Sequence, residues 1–119
     1  MELKEYVEKC YQTAKDKGFW DKERELGTML MLIVSELGEA LEADRHGKYA
    51  KDWNPSLCSD EDFVKQFEEN YKDTVCDEIC DTFIRLFDLC GGRGVDIEKH
   101  IQAKMRYNET RARLHGKQY

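Results

Sequence analysis

Apolar residues return at helical intervals along most of the chain. From Leu3 to about Asp16 they place Leu3, Tyr6, Val7, Cys10, Tyr11 and Ala14 on one stripe, and Gly18 follows as a C-terminal stop, which predicts a first amphipathic helix. A second periodic stretch runs from about Lys22 to Arg45 and ends near Gly47. Leu26, Leu30, Ile33, Val34, Leu37 and Leu41 form its main stripe, and Met29, Met31 and Leu32 extend the apolar character almost all the way round. A helix apolar on every side is buried on every side, so this one is expected either at the centre of the domain or as half of an oligomer interface. Gly38 in its interior costs roughly 1 kcal/mol against alanine, and close approach of another backbone is the expected reason for it.

The periodicity breaks over residues 46–59, where Gly47 and the Asn54-Pro55 step mark turns. Two lysines, Tyr49 and Trp53 suit this loop to a lid over a nucleotide; an oligomer contact or disorder fits the same composition. Ser59 or Asp60 caps the next helix, with Glu61 and Asp62 in its first turn and Phe63, Val64 and Phe67 on its apolar side. The pattern is expected to continue through a bend near Asn70 to Thr74 into Val75, Ile79, Phe83, Leu86, Phe87 and Cys90, and to stop at Gly91, Gly92 and Gly94. A last helix, from about Asp96 to His115, places Ile97, Ile101, Met105 and Ala112 on its buried side, with Asn108 inside that stripe. No strand-like alternation separates these segments. The expected fold class is all-α, a four- to five-helix bundle forming one domain over 1–119.

Composition narrows the function. The net charge of −6 argues against binding a nucleic-acid polymer, which calls for basic patches. The longest apolar run, Met29 to Val34, is far short of a membrane span. Five cysteines, with no CxxC and no secretory signal at the N-terminus, point to reduced thiols and a cytoplasmic location.

The candidate chemistry lies in two acidic pairs. Glu36 and Glu39 are three apart on the second helix, as are Glu78 and Asp81 on the later one, and this spacing sets both members of a pair on one helix face. If the two helices pack together, four carboxylates converge. An all-oxygen cluster of that kind suits Mg²⁺, with Mn²⁺ an alternative, better than Zn²⁺. Asp81 and Arg85 are also spaced for a simple ion pair along one helix. On the last helix Lys104, Asn108 and Arg111 share one side and form a candidate phosphate-binding group. The adjacent Phe19 and Trp20 read as core plugs, or as rings that stack on a base.

The order Glu36-x-x-Glu39, Glu78-x-x-Asp81, then Lys104-x-x-x-Asn108-x-x-Arg111, all on helices, resembles the MazG-like, all-α nucleoside triphosphate pyrophosphohydrolase superfamily, which includes dimeric dUTPases, dCTP pyrophosphatases and phosphoribosyl-ATP pyrophosphatases. The resemblance covers roughly Leu26 to Lys117. It implies a MazG-like bundle completed by assembly into a homodimer or homotetramer, Mg²⁺ held by Glu36, Glu39, Glu78 and Asp81, and phosphate or sugar contacts from Lys104 and Asn108. Arg111 and Trp53 are added as substrate-side candidates, and Glu39 as the carboxylate that activates water. The implied reaction converts a nucleoside triphosphate and water to a monophosphate and pyrophosphate. The gap between Glu39 and Glu78 is longer than in compact members of the superfamily, which leaves the substrate open, a phosphoribosyl nucleotide included. A reading of another class makes the chain a helical interaction module whose acidic pairs are merely solvated.

Overall fold

A computed structural model describes residues 1–118. The chain is all-helical: α1 (Leu3–Asp16), α2 (Leu26–Arg45), α3 (Asp60–Asn70), α4 (Val75–Arg93) and α5 (Ile97–Glu109), with single 3-10 turns at Pro55–Leu57 and Arg113–Gly116 and no strand among the described residues. The centre is α4, not α2. Both α1 and α2 pack along α4, while α5 meets α1 more lightly. Met29 and Ile33 of α2 close on Leu89 and Cys90 of α4, and Val7, Trp20 and Ile97 pack around them. Each such side chain contributes about 1.5–3 kcal/mol by leaving water.

The first helix has the expected bounds, and three other boundaries differ for identifiable reasons. Helix α2 starts at Leu26 because the preceding residues are drawn to α4: Trp20 Nε1 and Arg24 Nη1 donate to the two carboxylate oxygens of Asp88 at 2.7 and 2.8 Å. The anticipated bend between α3 and α4 is a full break. Asp73 takes a left-handed backbone (φ 61), and the Thr74 hydroxyl accepts the Asp77 N–H to cap a new helix. Conversely, Gly91 and Gly92 do not stop α4. They lie inside it, and only Gly94, left-handed at φ 67, ends it. Their role is close approach, since a Cβ on Gly91 would sit 2.6 Å from Cβ of Tyr11, and one on Gly92 would overlap the Trp20 ring. Gly92→Ala is therefore expected to destabilise the fold by about 1–3 kcal/mol through overpacking, read as a lowered urea midpoint at unchanged slope.

Helix α5 stops at Glu109 and has no buried residue. Of its expected core stripe only Ile97, at the start, packs on the core, while Ile101 and Met105 are open, Met105 at 59% exposed. Much of α2 is open too: Leu30, Met31, Val34, Leu37 and Leu41 are all exposed, Met31 at 64%. Nothing among the described residues lies within 4 Å of a Cβ placed on Gly38, so the expected close backbone approach is not made within them. Accordingly the radius of gyration is 17.2 Å, against about 13.5 Å for a compact chain of this length. The accessible surface is 9556 Å², against roughly 6,700 Å² for a compact protein of this mass. Among the described residues no helix is long and apolar enough to cross a membrane.

The 46–59 loop is anchored, not free. Lys51 N–H donates to Asn70 O at 3.0 Å and Val75 N–H to Lys48 O at 3.0 Å. Trp53 is the hub of a small aromatic core with Phe63, Phe67 and Tyr71, its nearest ring centroid 4.9 Å away. Its Nε1 donates to Gln66 Oε1, and Tyr71 OH donates to its carbonyl. Loop and α3 together form an arm built around this tryptophan.

Candidate metal centre

Packing α2 along α4 sets the acidic faces of the two helices against each other. Glu36, Glu78 and Asp81 each offer a carboxylate oxygen within 4.8 Å of the others. Three of the four residues expected at the centre thus meet. The fourth, Glu39, is exposed and lines an adjoining hollow of about 250 Å³ with Glu78, Glu42, His46, Lys48 and Asp73. A second acidic group, Asp73, Asp77 and Glu78, shares Glu78 with the first. Asp77 is partly committed there, because it accepts the N–H of Asp73 at 2.9 Å.

Glu78 is the unusual member. It is 9% exposed, and no lysine, arginine or histidine pairs with it among the described residues. Its side chain instead lies beside the Glu36 carboxyl, placed to form a hydrogen bond with it when one of the two is protonated. Burial, that hydrogen bond and the neighbouring Asp81, Glu36 and Asp77 push its pKa up from the ordinary 4.5 to about 7. Asp81 is raised as well, first by burial and then by Asp77 and Glu36, with Arg85 opposing. A largely buried carboxylate set without a paired cation is short of positive charge, and a hard divalent cation would supply what it lacks. The donor set of oxygens alone, from two helices, fits Mg²⁺ or Mn²⁺.

A pH dependence follows. Glu78 has a higher affinity for protons folded than unfolded, so its contribution to stability is complete below about pH 4.5 and is lost as pH rises to about 7. Binding of a divalent cation there would have the opposite sign, because it competes with protonation of the carboxylates. The Mg²⁺-induced rise in melting temperature is expected to be larger at pH 8 than at pH 6, and thermal melts at both values with and without the ion check it.

Arg85 does not pair with Asp81 along its own helix. Its Nε donates across to Glu36 Oε1 at 2.8 Å, at the mouth of a cleft of about 460 Å³ between α1, α2 and α4. Lys9, Lys17, Arg24 and Arg85 line this cleft, Arg24 paired with Asp88 in its wall and Arg85 with Glu36, while Ala14, Phe19 and Ile84 supply apolar wall. Phe19 is 61% exposed here, whereas Trp20 is turned inward against Tyr11, so the two adjacent aromatics divide between cleft and core. The sequence marks Arg85 only as a partner for Asp81, and it does not single out Lys9, Lys17 or Arg24. The recurrence of Lys9, Thr13 and Lys17 at intervals of four beside the α1 stripe is the one pattern that could have indicated them.

The substrate-side candidates are placed elsewhere. Trp53 is enclosed in the arm's aromatic core. Lys104 and Arg111 flank the Tyr107 ring, at 4.9 and 5.6 Å from its centroid, and line none of the hollows around the acidic centre. Asn108 has a buried Oδ1 with no hydrogen-bond partner among the described residues. Comparison with protein-family models, with curated proteins and with solved structures gives no match for this chain.

Proposed function

We propose that the chain is a Mg²⁺-dependent nucleoside triphosphate pyrophosphohydrolase of the MazG-like type that works as a homo-oligomer. The observation that carries this reading is the meeting of Glu36, Glu78 and Asp81 from two helices at the edge of a cleft that also holds Lys9, Lys17, Arg24 and Arg85. Carboxylates alone repel a polyphosphate, and cations alone would bind any anion. Side by side, they suit a polyphosphate that arrives with its metal.

Glu36, Glu78 and Asp81 would hold the ion. When bound, Mg²⁺ supplies Lewis-acid stabilisation of charge on the phosphate oxygens. The cleft cations hold the phosphate chain in register, and Phe19 offers an exposed ring for a base. Glu39, across Glu78 from the cleft, is the carboxylate left uncommitted to accept a proton from water. Attack of that water on the α-phosphorus forms one P–O bond as the bond to the bridging oxygen breaks, and pyrophosphate leaves.

Assembly follows from the surplus of exposed surface. A standard interface covers about 800 Å² on each partner, and the chain exposes well beyond that excess over a compact monomer, much of it apolar side chain on α2, α4 and α5. A second copy, in a homodimer or homotetramer, would cover these faces and bring Lys104, Asn108 and Arg111 of one chain toward the acidic centre of another. The buried Asn108 Oδ1 has no donor among the described residues, and a second copy could supply one.

The test is a panel of canonical and modified nucleoside triphosphates, with a phosphoribosyl nucleotide included, assayed with Mg²⁺ for pyrophosphate and orthophosphate separately. Pyrophosphate with a monophosphate product is the expected result. Orthophosphate as the sole phosphate product would overturn the reaction assignment. Failure of Mg²⁺ and nucleotide together to raise thermal stability would favour the interaction module instead.

A further inference from the structure

Arg85 occupies a position that neither the carboxylates nor the cleft explains alone. It sits one helical turn beyond Asp81 on α4, half-buried, and its contact with Glu36 uses Nε. A guanidinium has five N–H donors in a planar fork. The Nε bond leaves both terminal NH₂ groups, and no second protein acceptor engages them among the described residues. Arg85 lines the cleft beside Glu36, Asp81 and Ile84. Next to it Glu78, nine-tenths buried and without a cation, marks the same centre as a place where positive charge is missing.

Resting on the metal-dependent reading above, we propose that Arg85 is a bridging residue, holding Glu36 in position through Nε while its terminal NH₂ groups bind the phosphate chain of the substrate. One residue then links the metal ligand to the polyphosphate, so the ion and the substrate are set in register by a single rigid plane. Lysine cannot do this, because an ammonium is a point charge without the fork that spans two acceptors. The two tasks also have opposite electrostatic signs. A cation beside Glu36 competes with a metal ion for the carboxylates, yet it attracts the phosphate.

That opposition supplies the test. Full-length wild type, Arg85→Gln and Arg85→Lys are compared for Mn²⁺ affinity, for binding of inorganic tripolyphosphate in the presence of Mg²⁺, and for KM and kcat on the nucleotide that the panel selects. Arg85→Gln is expected to bind Mn²⁺ at least as tightly as wild type while its tripolyphosphate affinity falls about 10- to 100-fold, the factor that charge-assisted hydrogen bonds supply, with KM rising in parallel. Arg85→Lys should recover only part of the loss, and it covers the case in which the glutamine variant does not fold. A merely structural arginine would lower metal and tripolyphosphate binding together, and that result overturns the bridging role. So does a folded variant that keeps wild-type tripolyphosphate affinity and KM. Wild type that binds no Mn²⁺ overturns the metal reading itself, and the bridging role with it.

Discussion

Asp81→Asn is expected to lower Mg²⁺-dependent pyrophosphate release by at least about 10²-fold while leaving the metal-free protein no less stable than wild type. The first half follows from its place in the centre: three carboxylates meet there, and an amide gives up one of the charges that hold a hard cation. On the proposed mechanism several kcal/mol of transition-state stabilisation would depend on that ion, at about 1.4 kcal/mol per tenfold in rate. The second half comes from the direction of its pKa. Asp81 is raised by burial and by Asp77 and Glu36, so its charge is a burden on the metal-free fold, only partly relieved by Arg85. Removing it takes away repulsion. Steady-state rates together with urea melts in chelator decide the matter. A variant that loses activity and stability together would mean that Asp81 supports the fold and that its loss of turnover is indirect. Retention of full turnover would remove Asp81 from the metal centre. Stability gained where activity is lost is the usual relation at a site whose charges are assembled for binding.

How much of this could be read from the residues varies with the physical origin of each feature. The helices were legible because their signals are local: Ser59 and Asp96 cap α3 and α5 with their own side chains and Gly94 ends α4 in the left-handed region, whereas the Thr74 cap of α4 falls in a stretch that reads from sequence as part of a bend. The acidic centre was partly legible, because a spacing of three fixes the face within a helix. The rotation of α2 against α4 is a packing outcome, and it brings Glu36 in while leaving Glu39 at the next hollow. Arg85 shows the same limit. Spacing offered Asp81 as a partner, yet the pairing crosses to Glu36, whose sequence separation of 49 carries no local signal. Gly91 and Gly92 misled for a related reason. Glycine is a helix breaker by propensity, but here the contacts of Tyr11 and Trp20 require its missing Cβ, and tertiary packing prevails over roughly 1 kcal/mol of local preference per residue. The all-round apolar α2 predicts burial on every side, yet within this chain only Met29, Ile33 and Ala43 of it are buried.

Asp88→Ala is expected to be the most destabilising single substitution in the chain, at about 3–5 kcal/mol, a large fraction of the 5–15 kcal/mol that holds a typical domain. Asp88 is 7% exposed and accepts from Trp20 Nε1 and Arg24 Nη1 at once. Arg24 stacks its guanidinium 4.8 Å from the Trp20 ring centroid, and its carbonyl accepts from Arg93 at the end of α4. This one carboxylate therefore fastens the entry of α2 to α4, and with it the wall of the cleft formed by Phe19 and Arg24. Alanine leaves a largely buried guanidinium and an indole N–H without an acceptor, and the penalty comes from those stranded groups more than from the lost pair. The distinction can be measured. Asp88→Asn keeps one carbonyl acceptor and should fall between alanine and wild type in urea midpoint. The double variant Asp88→Leu with Arg24→Met, which removes the charge and its partner together, should recover much of the loss, leaving chiefly the unpaired Trp20 N–H. A double variant as unstable as Asp88→Ala would instead assign the stabilisation to the ion pair itself. Whichever result holds, KM for the nucleotide should rise in the double variant even where stability returns, because Arg24 would then be missing from the cleft.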